Sequence, residues 1–154
     1  MLGIIEKTGL LILANFLPTF EQAGGIPLGI FLGLDPVYTL LVSLSVNCFI
    51  FFPILLFLKS FYDSFFSRIK LFNKYLLRIR KKGKPYIDKY GILGLALFIS
   101  LPSPLTGTYT ATILSWFLDL DWKKSFIAIV IGSTIGGLII LAASIGLFNF
   151  FKLF

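Results

Sequence analysis

The sequence predicts an all-α integral membrane protein with an internal repeat, and three observations lead to this fold class. The first is composition: of 154 residues, 57% are hydrophobic and only 14% are charged, whereas about a quarter of the residues in a soluble domain are charged. A soluble chain of this size buries only about two-thirds of its unfolded surface, so this chain could not hide its apolar surface from water. The other two observations are long apolar runs and a repeated order of proline breaks.

Two of the apolar runs, residues 37–58 and 126–148, are long enough to cross a bilayer. At 1.5 Å per residue they reach about 33 to 35 Å, against a hydrocarbon core of about 30 Å. Both are therefore predicted to be transmembrane helices.

Four shorter apolar runs come in two pairs, and proline separates the members of each pair. The pairs are 9–17 with 20–34, around Pro18, and 91–101 with 105–120, around Pro102 and Pro104. Each run reaches only about 14 to 24 Å, so each pair is predicted to form a re-entrant hairpin that enters and leaves the membrane on one side. Short tilted spans are the alternative, and residues 1–17 could also cross if Glu6 and Lys7 lay at an interface.

Residues 59–82 have a helical period with an apolar, phenylalanine-rich face and a basic face. The apolar positions are Phe61, Phe65, Ile69, Phe72, Leu76 and Ile79. This pattern predicts an amphipathic helix that lies on an anionic lipid leaflet, with Gly83 and Pro85 as its stop signals. The alternative is a helix that packs on a partner protein.

Shifting the sequence by 86 positions aligns residues 31–36 with 117–122, Pro18 with Pro104, and Asn47 with Ser133. Each copy has the same order: a short segment, a proline break, a second short segment, an acidic turn and a full span. The chain is therefore predicted to be a single membrane domain, 1–154. Its parts are repeat 1 at about 1–58, the amphipathic helix and linker at 59–90, and repeat 2 at about 91–154.

The basic residues indicate the orientation in the membrane. With one crossing per repeat, the repeats are inverted, and residues 59–90 lie on the same side as Lys123 and Lys124. These segments hold twelve of the fourteen Lys and Arg residues, and the positive-inside rule makes that side cytoplasmic. We expect a multi-pass cell-membrane protein with both termini outside. Basic residues between apolar segments, without a nucleic-acid-binding motif, do not indicate nucleic acid as a partner.

Several kinds of chemistry are excluded or unsupported. The chain has no histidine, which removes imidazole metal sites and histidine-based nucleophile pairs. Its single cysteine, Cys48, can form no internal disulfide. No nucleotide loop, metal cluster or pair of catalytic carboxylates appears, so we expect neither an enzyme nor a cofactor. The N-terminus lacks the features of a signal peptide, and Met1 is expected to be the true start.

Both hairpin tips contain signals for the start of a helix. Thr19 and Gln22 have the spacing of a capping box, and Ser103-Pro104 has an N-cap serine before a first-turn proline. Free N–H groups and positive dipole ends at these starts would attract an anion. Thr106, Gly107 and Thr108 add hydroxyl groups and uncovered backbone at the second tip. The alternative is that the caps only satisfy helix ends.

Glu21 is the one acidic residue within either hairpin tip, and a carboxylate at membrane depth costs about 2.5 to 3.5 kcal/mol. It could carry a proton or bind a cation, or it could simply favour the positive end of its own helix. Pro27 is predicted to break the first half-helix locally. Asn15 and Asn47 are expected mainly to join helices. The remaining small and acidic residues have predicted structural roles: Gly25, Gly29, Gly33, Gly132 and Gly136 in packing, and Asp35, Asp119 and Asp121 as solvated caps.

Two segments resemble a known family. Residues 21–27 contain an E-x-x-G-x-I-P pattern, and residues 102–107 contain P-x-P-x-T-G. In both patterns the chain resembles the putative small multidrug export family of bacterial and archaeal membrane proteins. That family more distantly resembles the DedA and SNARE-associated Golgi (VTT) families, which include lipid scramblases and undecaprenyl-phosphate translocases with two facing re-entrant hairpins. On that resemblance Glu21 matches the acidic position of the first hairpin. DedA proteins have arginines in the second hairpin, whereas residues 91–122 here contain no Arg or Lys.

Three functions are therefore expected as alternatives. The first is a transporter or flippase of an amphipathic, phosphate-bearing lipid, held between the facing hairpins. The second is a proton-coupled exporter of lipophilic cations that depends on Glu21. The third is a membrane scaffold or assembly factor that does not transport, and a homo-oligomer is compatible with all three. The predicted site residues are Glu21, Pro27, Asn47, Pro102, Ser103, Pro104, Thr106, Gly107 and Thr108.

Overall fold

The computed structural model describes residues 3–61, 70–101 and 106–152, which form seven helices and contain no strand. In chain order the helices are α1 (Ile4–Phe16), α2 (Glu21–Phe31), α3 (Pro36–Phe61), α4 (Lys70–Tyr90), α5 (Ile92–Ser100), α6 (Thr108–Phe117) and α7 (Trp122–Lys152). The prediction of an all-α protein is confirmed.

Among the described residues, two helices are long and apolar enough to cross a membrane. The qualifying segments are Pro36–Ser60 in α3 and Trp122–Phe150 in α7, and only 33% of the most apolar stretch of each is buried within the protein. A core helix of a soluble protein would be mostly buried, so the exposed apolar surface of these helices suits contact with lipid. Both predicted spans are confirmed as helices, and each extends a few residues beyond its apolar run.

The two long helices pack against each other in opposite directions. Near the end of α3, the rings of Phe51 and Phe52 lie 5.3 Å and 5.0 Å from that of Phe126, near the start of α7. Near the start of α3, Leu40 lies beside Gly137, where an added Cβ would be 2.8 Å from Leu40 Cδ1. The first half of α7 therefore runs antiparallel to α3, from about Phe52 back to Leu40.

The four short helices contain 9 to 13 residues, which corresponds to about 14 to 20 Å. None reaches across a bilayer core of about 30 Å. Helix α1 packs on α2 and α5 packs on α6. The predicted break between the first two runs is confirmed by the turn from Leu17 to Phe20.

The segments aligned by the shift of 86 positions form the same local structure. In both, two backbone bonds close the end of the short helix in the pattern of a Schellman motif. The N–H to C=O pairs are Leu34 to Gly29 and Gly33 to Ile30 at α2, and Leu120 to Ser115 and Asp119 to Trp116 at α6. The third residue of each aligned segment is left-handed: Gly33 has φ +73° and Asp119 has φ +52°.

The long helices also begin in the same way. Asp35 Oδ1 accepts a hydrogen bond from Tyr38 N–H, and Asp121 Oδ1 accepts one from Lys124 N–H, each at 2.9 Å. Both aspartates therefore satisfy a first-turn donor that has no partner within its own helix. The predicted capping role is confirmed for these two residues, whereas Asp119 is the left-handed residue after α6.

Helix α4 differs from its prediction at its C-terminal end. It continues through Gly83 and Pro85 and ends at Tyr90, before Gly91 with φ +59°. The predicted stop at Gly83 is wrong because this glycine makes a close approach: a Cβ there would be 2.1 Å from Leu114 Cδ2 on α6. The predicted face residues at 62–69 lie outside the described part of the chain, and only the backbone of Phe61 and Phe72 is described.

The apolar face of α4 packs on the protein itself. Leu76 and Ile79 are 2% exposed and belong to the core formed with α5 and α6. Arg80 lies over the ring of Phe117, 5.4 Å from its centroid. The basic side of α4 stays exposed, so anionic lipid remains its predicted partner.

Helix α2 runs unbroken through Pro27, which corrects the predicted local break. Ile26 and Ile30, on either side of the proline, are buried, and this packing keeps the segment helical despite the lost backbone donor. The packing role of the glycines is confirmed where helices touch. An added Cβ would lie 2.2 Å from Asn15 Nδ2 at Gly25 and 2.5 Å from Thr39 Cγ2 at Gly29.

Candidate functional site

The N-termini of α2 and α6 meet through the side chain of Glu21. Its carboxylate accepts a hydrogen bond from Thr108 N–H at 2.6 Å and a longer one from Tyr109 N–H at 3.4 Å. The first N–H groups of a helix have no partner inside it and carry the positive end of its dipole. Glu21, the first residue of α2, thus caps α6, which lies 87 residues away along the chain.

A second bond joins the same two regions. The hydroxyl of Tyr109 donates to the carbonyl of Phe16, the last residue of α1, at 2.6 Å. That carbonyl belongs to the group of free acceptors at a helix C-terminus. The turn between α1 and α2 is therefore bonded to the start of α6 at two places.

Because Gly107 has no side chain, it leaves room for the Glu21 carboxylate. A Cβ added at Gly107 would lie 2.2 Å from Glu21 Oε1, closer than any real contact. The sequence predicted that this uncovered backbone would receive an external anion. In the structure the anion is the protein's own carboxylate, which is 94% buried at this position.

The predicted helix starts are both displaced. Thr19 does not cap α2: its φ is +74° and its hydroxyl donates to the carbonyl of Pro18. The local turn is thus satisfied before the helix begins, and no side-chain bond caps α2. Helix α6 starts at Thr108 with Gly107 as its N-cap, so the predicted start at Ser103 is wrong. Pro102, Ser103 and Pro104 themselves lie outside the described residues.

A cavity of about 50 Å³ adjoins Glu21 where the two tips meet the long helices. One water needs about 10 to 15 Å³ of such space, so the cavity has room for about three to five waters or a small ion. Its lining includes Glu21, Gln22, Asn47, Tyr75, Thr108, Tyr109 and Ser133.

Four polar atoms that line this cavity are buried without a hydrogen-bond partner among the described residues. They are Gln22 Nε2, Asn47 Oδ1, Thr108 Oγ1 and Ser133 Oγ. Their residues are at most 6% exposed. Because a buried polar group without a partner costs free energy, such a concentration indicates a place where a polar ligand or water binds.

The charge around the cavity has one sign. Glu21 is acidic, and the described lining contains no Lys or Arg. The described residues also contain no cluster of three or more Asp, Glu, Cys or His side chains that could hold a metal ion. The cavity therefore favours a cation of low charge over an anion.

The structure brings together most of the predicted site residues. Glu21, Asn47, Thr106, Gly107 and Thr108 all line the cavity. Pro27 does not line it: this residue lies on the exposed side of α2. Asn47 was expected mainly to join helices, as Asn15 does through its bond to Ser43 Oγ.

Of the seven cavity residues named above, four were not among the predicted site residues: Gln22, Tyr75, Tyr109 and Ser133. Ser133 was visible as the position aligned with Asn47, and Gln22 as the neighbour of Glu21. Nothing local distinguished Tyr75 or Tyr109, because their place at the cavity depends on contacts between distant segments.

Comparison with known proteins gives a family but no individual relative. No curated protein and no solved structure matches the chain significantly. The more distant resemblance to the DedA and VTT families stays a prediction. A family model described as "Putative small multi-drug export protein" matches residues 21–139. This match begins at Glu21, includes both tips and covers more than half of the chain, which therefore belongs to the small multidrug export family of membrane proteins.

Proposed function

We propose that the protein exports lipophilic cations across the membrane in exchange for protons, with Glu21 as the group that binds each in turn. The observation that carries this proposal is the buried Glu21 carboxylate beside a cavity whose described lining has no basic residue. Membership of a small multidrug export family is compatible with it.

Charge favours a cation over a phosphate-bearing lipid. An anionic headgroup would have to displace Glu21 from the start of α6, or bind beside its negative charge. A helix dipole end contributes about 0.3 to 1 kcal/mol at exposed sites and up to about 2 when partly buried. That is too little to offset a second buried negative charge without an added cation.

Aromatic side chains near Glu21 can contact the apolar part of such a cation. Phe20, Tyr75 and Tyr109 line the cavity around the carboxylate. An aromatic face attracts a cation by about 0.5 to 2 kcal/mol, more when water is excluded. A carboxylate with aromatic neighbours suits a large, weakly hydrated organic cation.

The cavity is too small for an aromatic cation, so the protein must adopt a wider conformation to bind one. At about 50 Å³ it is far below the 300 Å³ or more of a typical small-molecule site. The tips of α2 and α6 must separate to admit an aromatic cation. The Glu21–Thr108 bond is among the contacts that would break.

We also propose that each pair of short helices is a re-entrant hairpin within an inverted repeat. If the pairs were full spans, the turn at 17–20 and the turn before α6 would emerge on opposite faces, about 30 Å apart. The bond of 2.6 Å between Glu21 and Thr108 favours tips that meet inside the membrane. The antiparallel long helices and the matched ends of α2 and α6 also support the inverted repeat.

The test is transport by purified protein in proteoliposomes, with tetraphenylphosphonium as the substrate and an imposed pH gradient. Wild-type protein is expected to move the cation against the direction of proton flow. Glu21→Gln is expected to abolish this movement, because the amide keeps the shape but neither titrates nor carries charge.

Glu6→Gln is the matched control, since it makes the same change at an exposed glutamate of α1. It is expected to leave transport unchanged. Size-exclusion profile and thermal stability in detergent would establish that both variants fold. Transport at the wild-type rate by folded Glu21→Gln protein would contradict the proposal, and absence of transport by every form would favour the scaffold alternative.

A further inference from the structure

The unpartnered atoms of the cavity come from four different helices. Gln22 lies on α2 and Thr108 on α6, whereas Asn47 and Ser133 lie near the middle of α3 and α7. At Gly137, one turn after Ser133, an added Cβ would be 3.4 Å from Gln22 Oε1. The cavity is thus a convergence of polar groups from both halves of the chain.

These groups are mainly oxygen acceptors. Asn47 Oδ1 and the hydroxyls of Thr108 and Ser133 are without partners among the described residues. The Gln22 amide can present either its nitrogen or its oxygen by rotation. Carbonyl, hydroxyl and carboxylate oxygens are the ligands preferred by hard cations.

The charge balance limits the cation to a single positive charge. Glu21 contributes one negative charge, and the α6 N-terminus offsets roughly half of it. A divalent ion would leave a buried excess of positive charge, and the described residues provide no acidic cluster to neutralise it. Water would satisfy the polar atoms but would leave about half of the carboxylate charge without a compensating charge.

We propose that the cavity binds a monovalent alkali cation, with Na⁺ as the probe ion. Its ligands are the Glu21 carboxylate and the free oxygens of Asn47, Thr108 and Ser133. The volume of about 50 Å³ also admits one or two waters to complete the shell. The ion would occupy the protein in its present narrow form, before any larger cation enters.

This inference goes beyond the proposed export, because it concerns the ion that fills the cavity and holds for any exported compound. The experiment is equilibrium binding of ²²Na⁺ to purified protein in detergent, without substrate or pH gradient. N-methyl-D-glucamine chloride keeps the ionic strength constant. Wild-type protein is expected to bind Na⁺ saturably with one ion per chain, and to gain thermal stability from it.

Ser133→Ala and Ser125→Ala form a matched pair on α7. Both serines are buried with unpartnered hydroxyls, but only Ser133 lines the cavity. Ser133→Ala is expected to weaken Na⁺ binding about tenfold through the lost oxygen, and Ser125→Ala to leave it unchanged. Glu21→Gln is expected to reduce binding below detection.

The outcomes separate this inference from the export proposal. No saturable Na⁺ binding by wild type, or equal affinity in the two serine variants, would overturn the ion site and leave the transport result standing. If Ser133→Ala does not fold, the test is the gain in thermal stability that Na⁺ gives to folded Glu21→Gln protein. Loss of that gain supports the site, and a gain equal to that of wild type overturns it.

Discussion

At the scale of single residues, Gly107 and Glu21 depend on each other. Any side chain at Gly107 would meet the Glu21 carboxylate, so Gly107→Ala is expected to lower stability by about 1 to 3 kcal/mol, as overpacking does. In a Glu21→Ala background the clash is absent and the same change is expected to cost less. Thermal unfolding of the four proteins in detergent measures this coupling. Equal costs in both backgrounds would show that the two positions are independent.

Gly33 and Asp119 offer a reciprocal test of backbone conformation. Both are left-handed at equivalent helix ends, and a residue with a Cβ pays about 1 to 2 kcal/mol there. Asp119→Gly is expected to raise the melting temperature and Gly33→Asp to lower it. A steric clash would not explain a lower melting temperature of Gly33→Asp, because an added Cβ would meet only Lys7 Nζ at 3.9 Å. A higher melting temperature from both substitutions, or from neither, would contradict the role of φ.

Residue-scale prediction from sequence succeeds where the physics is local. The caps at Asp35 and Asp121 depend on donors three residues away, and Glu21 stands out as a charge in an apolar segment. The capping box at Thr19 fails because the preceding turn takes up its hydroxyl. The partners of Glu21 lie 87 and 88 residues away, which no local pattern reveals.

At the scale of helices, the contact between α4 and α6 depends on Gly83. An added methyl group would lie 2.1 Å from Leu114 Cδ2, so Gly83→Ala is expected to destabilise the protein by about 1 to 3 kcal/mol. Gly146→Ala is the control, because an added Cβ on α7 has no neighbour within 4 Å. There alanine is expected to stabilise by about 0.5 to 1 kcal/mol. Stabilisation by both substitutions would show that α4 does not need the close approach.

The existence of the helices could be predicted more surely than their ends. Run length and proline position identify α3, α7 and the first paired segments, because burial in lipid requires continuous apolar sequence. The end of α4 could not be predicted, since glycine and proline serve both as stops and as packing residues. Only the neighbouring Leu114 distinguishes the two roles of Gly83.

At the scale of the whole molecule, the cations predict that α4 faces the cytoplasm. In a Cys48→Ser background, Lys82→Cys at an exposed position of α4 is expected to react with an impermeant maleimide only after the membrane is opened. Asp35→Cys, at the start of α3, is the comparison expected to react in intact cells. Reaction of Lys82→Cys with the reagent in intact cells would show that the orientation is opposite to the predicted one.

The depth of the first tip distinguishes a re-entrant hairpin from two short spans. Thr19→Cys, in the turn before α2, is expected to resist the impermeant reagent on both sides of the membrane and to react in detergent. Two short spans would instead place it in the cytoplasm, with the accessibility of Lys82→Cys. Labelling of inside-out vesicles compares the two positions directly.

The order of the segments could be predicted at this scale, because composition and the positions of the prolines reveal the repeat. The meeting of the two tips could not, since it depends on how α2 and α6 pack against both long helices. The cavity follows from that packing, and so do the roles of Tyr75 and Tyr109.

The backbone at Glu21 gives the Glu21–Thr108 bond an energetic consequence. Glu21 has φ +38°, in a region where residues other than glycine cost about 1 to 3 kcal/mol. The bond to Thr108 helps hold this conformation. On the proposed mechanism, a proton or an entering organic cation that neutralises the carboxylate would weaken the bond and let the backbone relax. If export proceeds as proposed, part of the energy for separating the tips would therefore be stored as backbone strain at Glu21, and the arrival of the proton or organic cation would release it.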